Sequence, residues 1–178
     1  FRSVKPIMSD IVITTNGGYP LDQNIYQTVK GMTAGEACVN PGGVIIICSS
    51  CADGTGGEFF YKLLADEESA EAAYKKLNDV EPSDTEFDQW EAQILARILC
   101  KAHVIIVSDK CDPNIITSMH IDHAYTLDEA IKANFINKEC IEMYPSFDNI
   151  DDVFNYIENY EKIDLSNIFL FACEMYKT

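Results

Sequence analysis

The stretch DIVITTNGG, residues 10–18, decides the fold: a short β-branched run ends abruptly at an asparagine and two glycines. Such a run is typical of a strand buried in a parallel sheet, and the glycines permit a tight turn after it. Pro20 suits the first turn of a helix, and apolar residues then recur at helical spacing, at Leu21, Ile25, Val29 and Met32. The sequence therefore predicts a strand, a glycine turn and a helix in succession.

The same alternation continues along the chain. GGVIIICSS (42–50) and HVIIVSD (103–109) are typical of two further buried strands, and two helices are predicted between residues 58 and 77. A fourth helical segment begins at Thr126, with Glu129 three residues later as a capping box. Strands that alternate with helices predict an α/β three-layer domain, with a mainly parallel sheet covered by helices on both faces. Ligands of such sheets bind at the carboxyl ends of the strands.

A helix that starts near Asp84 is predicted to run to Lys101. Its apolar residues form one stripe, which we expect to be well buried: Phe87, Trp90, Ile94 and Ile98. Residues 1–139 are predicted to form the α/β domain. Residues 140–178 differ in composition, and are predicted to add a helix at 150–160 and a strand at 168–172.

Composition narrows the function. The 178 residues carry 29 acidic and 13 basic side chains, for a net charge of −16. Nucleic acids and anionic membrane surfaces bind clusters of Lys and Arg, so we expect neither as a partner. No apolar run reaches the roughly 20 residues of a membrane span. The seven cysteines are an odd number, mostly in apolar settings, which favours free thiols and a cytoplasmic location.

The predicted first helix has a polar face opposite its apolar stripe. Lys30 lies four residues after Tyr26 and three after Gln27, so its side chain can converge with both. An ammonium, an amide and a phenol together can bind a small carboxylate that has a neighbouring hydroxyl. An ordinary solvated face of an amphipathic helix is the alternative, and by spacing alone it is the more common explanation.

The literal sequence carries more information. DIVITTNGGYPLDQNIYQTVKGMTAGEA, GGVIIICSSCADGTGGEFFY and WEAQILARILCKAHVIIVSD, in that order over residues 9–136, closely resemble the carboxyl-terminal domain of the nickel-pincer lactate racemase family. The resemblance implies removal of a hydride from C2 of a 2-hydroxy acid and its return to either face. It also implies a nickel pincer nucleotide (nickel pyridinium-3,5-bisthiocarboxylate mononucleotide), held between two domains and tethered by an amino-terminal domain.

Carried over residue by residue, the resemblance implies substrate binding by Tyr26, Gln27 and Lys30. It implies that Trp90 faces the cofactor, although its apolar stripe equally favours a core position. The family's acid/base histidines, nickel ligand and tethering lysine belong to the amino-terminal domain and have no match here. We therefore expect this chain to be half an enzyme that needs its amino-terminal domain, with no catalytic residue and no metal ligand of its own.

Other residues suggest other functions. His120 and His123 form a loose pair of ligand-like residues, but a metal site needs three or four convergent ligands, so we expect none there. Cys48 and Cys51 follow a strand and suggest a thiol redox protein, although a glycine loop separates them from the next helix. A non-enzymatic acidic interaction domain is compatible with the charge, but no motif supports it.

Overall fold

A computed structural model describes residues 6–136 and 168–170. In chain order the elements are β1 (Ser9–Thr15), α1 (Ile25–Glu36), β2 (Val39–Cys48), α2 (Glu58–Ala65), α3 (Ala70–Asn78), a 3-10 turn (Pro82–Asp84), α4 (Gln89–Lys101), β3 (His103–Val107), α5 (Pro113–Ser118), β4 (Asp122–Ala124), α6 (Leu127–Ile136) and β5 (Ile168–Leu170). Within these residues no helix has the length and apolar character needed to cross a membrane.

The strands form one five-stranded sheet in the order β4-β3-β2-β1-β5, and all neighbours are parallel. Val12 of β1 pairs with Ile45 of β2, which pairs in turn with Val104 of β3. The chain moves outward from β1 to β4 and then returns to the other side of β1. This reversal makes the carboxyl end of β1 a topological switch point, the usual place for a ligand in such sheets.

Successive side chains of each strand point to opposite faces of the sheet, and each face has its own hydrophobic core. On one face of the sheet, Ile45 packs under α1 and α4, in the same hydrophobic cluster as Val29 and Leu95. On the other face, Ile46 packs under α6, in a second cluster that contains the buried Ile131. The predicted α/β domain, with a parallel sheet covered on both faces, is confirmed.

The first helix begins four residues later than predicted. Asn24 caps α1, and its Oδ1 accepts a hydrogen bond of 3.0 Å from the amide of Gln27. Pro20 therefore precedes the helix and follows a cis peptide bond, and Leu21 is 39% exposed. The prediction was wrong here because the Asn24 cap and the loop carbonyls of Gly54 and Thr55 together set the start of the helix. Ile25, Val29 and Met32 are fully buried as predicted.

The helix predicted from near Asp84 begins only at Gln89. Asp88 has a left-handed backbone with φ of 60°, which places Phe87 outside the helix with 82% of its surface exposed. Trp90, at the second helical position, is 52% exposed. The predicted buried stripe was therefore wrong for Phe87, which precedes the helix, and for Trp90, because the buried face of the first turn of α4 carries Gln89, Glu91 and Ala92. Ile98 is fully buried as predicted.

Two features near the end of the domain complete the fold. Thr126 caps α6, since its Oγ1 accepts from the amide of Glu129 at 3.1 Å, while the Glu129 carboxylate accepts from the amide of Tyr125. β5 covers Ile168–Leu170 and pairs in parallel with β1. These three residues fall within the strand predicted at 168–172, and the predicted helix at 150–160 lies outside the described residues.

Candidate functional site

The turn after β1 and the loop after β2 interlock at the carboxyl edge of the sheet. The amides of Ile25 and Tyr26 donate to the carbonyl oxygens of Gly54 and Thr55, at 2.9 and 3.1 Å. The amino end of α1 is thus capped by backbone from the next loop. Gly56 in this loop has φ of +83°, and a Cβ there would lie 2.6 Å from Asn24 Oδ1. The loop therefore fixes where α1 starts.

Asn16 connects the end of β1 to the first turn of α1. Its Nδ2 donates to the carbonyl oxygen of Gln27 at 2.8 Å and also to that of Leu21. Gly17 and Gly18 both have φ near +80°, at +81° and +79°, a backbone that glycine adopts without strain. The NGG sequence therefore turns the chain and anchors the helix that carries the predicted substrate-binding residues.

The three polar residues predicted on α1 lie together in the structure. Lys30 Nζ donates a 2.7 Å hydrogen bond to Gln27 Oε1 and lies 5.9 Å from the centre of the Tyr26 ring. Tyr26 and Gln27 are partly buried, and Lys30 is exposed. The cluster therefore presents an ammonium, an amide and a phenol side by side at the switch point of the sheet.

Trp90 joins the same cluster through Tyr26. The Tyr26 ring contacts Trp90 edge to face at a centroid distance of 6.1 Å, and contacts the buried Phe60 at 5.2 Å. Since Trp90 is 52% exposed, about half of its side chain is open beside the polar cluster. The structure thus brings Trp90 close to Tyr26, Gln27 and Lys30, and their roles in binding stay predictions.

Two acidic residues of α4 and its cap also belong to this cluster, and sequence reasoning missed both. Burial, and then the negative charges of Asp88 and Glu91, raise the pKa of Tyr26. Burial raises the pKa of Glu91, Lys30 opposes that rise, and Asp88 adds to it. A signal was present for Glu91, because it lies four and seven residues before Leu95 and Ile98 on the buried face of α4.

The thiols that suggested redox chemistry lie in a different environment. Cys48 and Cys51 are free, and burial raises the pKa of both. The Cys51 Sγ donates to Ser49 Oγ at 3.4 Å, and α2 begins only at Glu58. Neither thiol therefore has the helix amino end that lowers a catalytic thiol's pKa. All five cysteines within the described residues are free, and Cys140 and Cys173 lie outside them.

The three histidines are used elsewhere in the fold. His120 Nε2 lies 3.1 Å from the carbonyl oxygen of Leu64, and His123 Nε2 lies 2.8 Å from that of Ser108. His103 pairs at the surface with Asp122 at 3.2 Å. Across residues 6–136 and 168–170 the structure contains no group of three or more His, Cys, Asp or Glu side chains placed to hold a metal ion.

Comparison with known proteins gives a consistent result. The family described as lactate racemase C-terminal domain matches residues 4–143. The lactate racemase of Lactiplantibacillus plantarum is 54% identical over 130 residues, which cover 73% of this chain and 31% of that protein. The lactate racemase of Thermoanaerobacterium thermosaccharolyticum is 52% identical over 124 residues, covering 70% of this chain and 29% of that protein.

A solved structure extends the similarity to the fold. The lactate racemase apoprotein from Thermoanaerobacterium thermosaccharolyticum superimposes with a TM-score of 0.72 at 49% identity, covering 75% of this chain and 32% of that one. This chain thus spans about a third of the length of the relatives that it matches. The resemblance stated from the sequence is confirmed, and the chain belongs to the lactate racemase family, in the part that corresponds to its C-terminal domain.

Proposed function

We propose that this chain is the carboxyl-terminal part of a 2-hydroxy-acid racemase or epimerase of the lactate type. The reaction removes a hydride from C2 of the acid and returns it to either face. The observation that carries the proposal is the cluster of Tyr26, Gln27 and Lys30 beside the half-exposed Trp90. This cluster lies at the switch point of the sheet, where ligands of α/β domains bind.

Each polar residue of the cluster has a distinct part in substrate binding. The Lys30 ammonium neutralises the carboxylate of the acid through a charge-assisted hydrogen bond. Gln27 Oε1 already accepts from Lys30 at 2.7 Å, which leaves the amide NH₂ of Gln27 free to donate to the carboxylate or to the keto oxygen after hydride removal. The Tyr26 hydroxyl orients the substrate hydroxyl. Together the three residues hold C2 in one place while its hydrogen leaves and returns.

The proposed cofactor is the nickel pincer nucleotide, tethered by the amino-terminal domain. When bound, it supplies the acceptor and donor of the hydride. The described residues fit one side of such a group, because about half of the Trp90 surface is open and can stack on a flat aromatic ring. The Tyr26 ring contacts the Trp90 indole in an edge-to-face arrangement. The nickel ligands are proposed to belong to the amino-terminal domain, as the family resemblance implies.

The remaining parts of the proposal concern partners and location. The amino-terminal domain of the same protein is the partner that completes the cleft, since this chain spans about a third of the length of its relatives. Residues 1–139 are the racemase-type domain, and 140–178 are an addition to it. The net charge of −16 disfavours nucleic acid and anionic membranes as partners. The free thiols within the described residues are compatible with a cytoplasmic protein.

Isotope retention tests the reaction. The full-length protein, loaded with nickel cofactor, is incubated with D-lactate that carries deuterium at C2, and the L-lactate formed is analysed by mass spectrometry. Hydride removal and return predict that L-lactate keeps the deuterium. Incorporation of solvent hydrogen at C2, or no interconversion of the enantiomers, would contradict the proposal. The 178-residue chain alone, with or without added cofactor, is expected to show no turnover.

A further inference from the structure

Glu91 is an unusual residue in this fold. Among the residues whose burial the structure describes, it is the only acidic or basic side chain that is buried, with 1% of its surface exposed. Its Oε1 is buried and has no hydrogen-bond partner among the described residues. Burying a carboxylate without a partner is costly, and either protonation of the carboxyl or a nearby positive charge offsets that cost.

The positive charge that acts on Glu91 is that of Lys30. Glu91 lies in the first turn of α4, directly after Trp90, and α4 packs against α1, which carries Lys30 and Tyr26. Lys30 lowers the pKa of Glu91, whereas burial and Asp88 raise it. The Lys30 ammonium donates to Gln27 at 2.7 Å, and its charge acts on Glu91 through space. When it is ionised, the buried Glu91 carboxylate therefore attracts the exposed Lys30 ammonium across the contact between α4 and α1.

On the basis of the proposed function, we propose that Glu91 is a positioning residue that acts through Lys30. Its carboxylate attracts the Lys30 ammonium and keeps it at the Gln27 and Tyr26 edge, where the substrate carboxylate binds. The lysine side chain has four rotatable bonds and little packing around its charged end, so an attractive charge beneath it narrows the positions that it samples. Asp88 contributes a second negative charge at the same cluster.

A double-mutant cycle in the full-length, nickel-loaded protein tests this coupling. Glu91→Gln removes the charge with little change in shape, and we expect a loss of about tenfold in kcat/KM, mainly through KM. In a Lys30→Ala background the same substitution is expected to cause no further loss. Glu68→Gln is the matched control, because Glu68 is exposed in the turn before α3, and this variant should leave activity unchanged. An equal loss in both backgrounds, or no loss in the wild-type background, would overturn the proposal.

A second measurement does not depend on activity. The titration of the Glu91 carboxyl is followed by NMR in protein labelled with ¹³C at the glutamate carboxyl, and its signal is assigned from the Glu91→Gln variant. Lys30→Ala should raise the pKa of Glu91, because it removes the positive charge that lowers it. An unchanged titration would overturn the coupling of Glu91 to Lys30. Absence of racemisation by the wild-type protein would instead contradict the proposed function, so the two failures are distinguishable.

Discussion

Lys30 Nζ and Gln27 Oε1 lie 2.7 Å apart on one face of α1. The bond joins residues three positions apart, one helical turn, so it depends on a helix that starts at the correct residue. That start is fixed by Asn24 and by the loop carbonyls of Gly54 and Thr55. The place of the polar cluster on α1 therefore depends on the interlocked turns that hold the amino end of the helix.

The buried stripe of α1 predicts a separation between folding and chemistry. Ile25 is fully buried, so Ile25→Ala should lower the free energy of unfolding by about 2–5 kcal/mol, through lost burial and the cavity that remains. Leu21 precedes the helix and is 39% exposed, so Leu21→Ala should cost no more than about 1 kcal/mol. Urea unfolding of the two variants measures both values. Equal losses would contradict the helix start at Ile25.

The loop that caps α1 gives a second prediction. Gly56→Ala places a Cβ 2.6 Å from Asn24 Oδ1 on a backbone with φ of +83°. We expect a loss of about 2 kcal/mol or more in the free energy of unfolding, because the left-handed backbone is strained and the Asn24 cap is displaced. Thermal unfolding, followed by circular dichroism, measures the loss.

Gly54→Ala is the matched control for this prediction. Gly54 has φ of +66°, but a Cβ there meets no atom within 4 Å. Only the backbone cost of about 1 kcal/mol should therefore appear. A Gly56→Ala variant as stable as Gly54→Ala would show that the contact with Asn24 does not hold the loop in place.

Much of this fold could be predicted from the sequence, and the failures have physical causes. The runs around Val12, Ile45 and Val104 are buried strands because nearly every side chain in them is apolar, and both faces of the sheet are covered. The start of α1 was misjudged, because loop carbonyls 29 residues away along the chain, between Ile25 and Gly54, help to decide it. A helical periodicity contains no information about such long-range caps.

The candidate site was predictable to a similar extent. Tyr26, Gln27 and Lys30 converge because helical spacing places them on one face. For Trp90 the sequence left a buried stripe position and a position facing the cofactor open, and the structure leaves it 52% exposed because it lies off the buried face of α4. Glu91 was missed, since a carboxylate on the buried face of a helix contradicts the usual preference for apolar residues. Only the packing of α4 against α1 brings it into the site.

The raised pKa of Glu91 predicts a pH dependence of stability. The folded state binds this proton more tightly than the unfolded state, so the contribution of Glu91 to stability falls as pH rises from its ordinary value of 4.5 through the raised value. Glu91→Gln lacks this effect. Relative to wild type, the variant should therefore gain stability between about pH 4 and about pH 7, as measured by urea unfolding at both values. A difference that is the same at both pH values would contradict the raised pKa.

The cysteines give a prediction that tests the redox alternative. Burial raises the pKa of Cys48 and Cys51, so less thiolate is present at neutral pH than in a free cysteine. The pKa of Cys100 is also raised, but its side chain is exposed, so alkylation by iodoacetamide, followed by peptide mass spectrometry, should modify Cys100 before either of them. Rapid modification of Cys48 or Cys51 at neutral pH would favour the thiol redox function. So would a disulfide between them whose reduction potential lies in the range of catalytic disulfides.

Lys30→Ala in the full-length protein, loaded with nickel cofactor, is the most direct test of the substrate site. The loss of a charge-assisted hydrogen bond of about 1.5–3 kcal/mol predicts a decrease in kcat/KM of about ten- to more than a hundredfold. The free energy of unfolding should change by no more than about 0.5 kcal/mol, because Lys30 is exposed. Lys75→Ala, an exposed lysine on α3, is the control and should be silent in both assays. Wild-type kcat/KM in the Lys30→Ala variant, for every 2-hydroxy acid tested, would contradict the assignment of Lys30 to the substrate site.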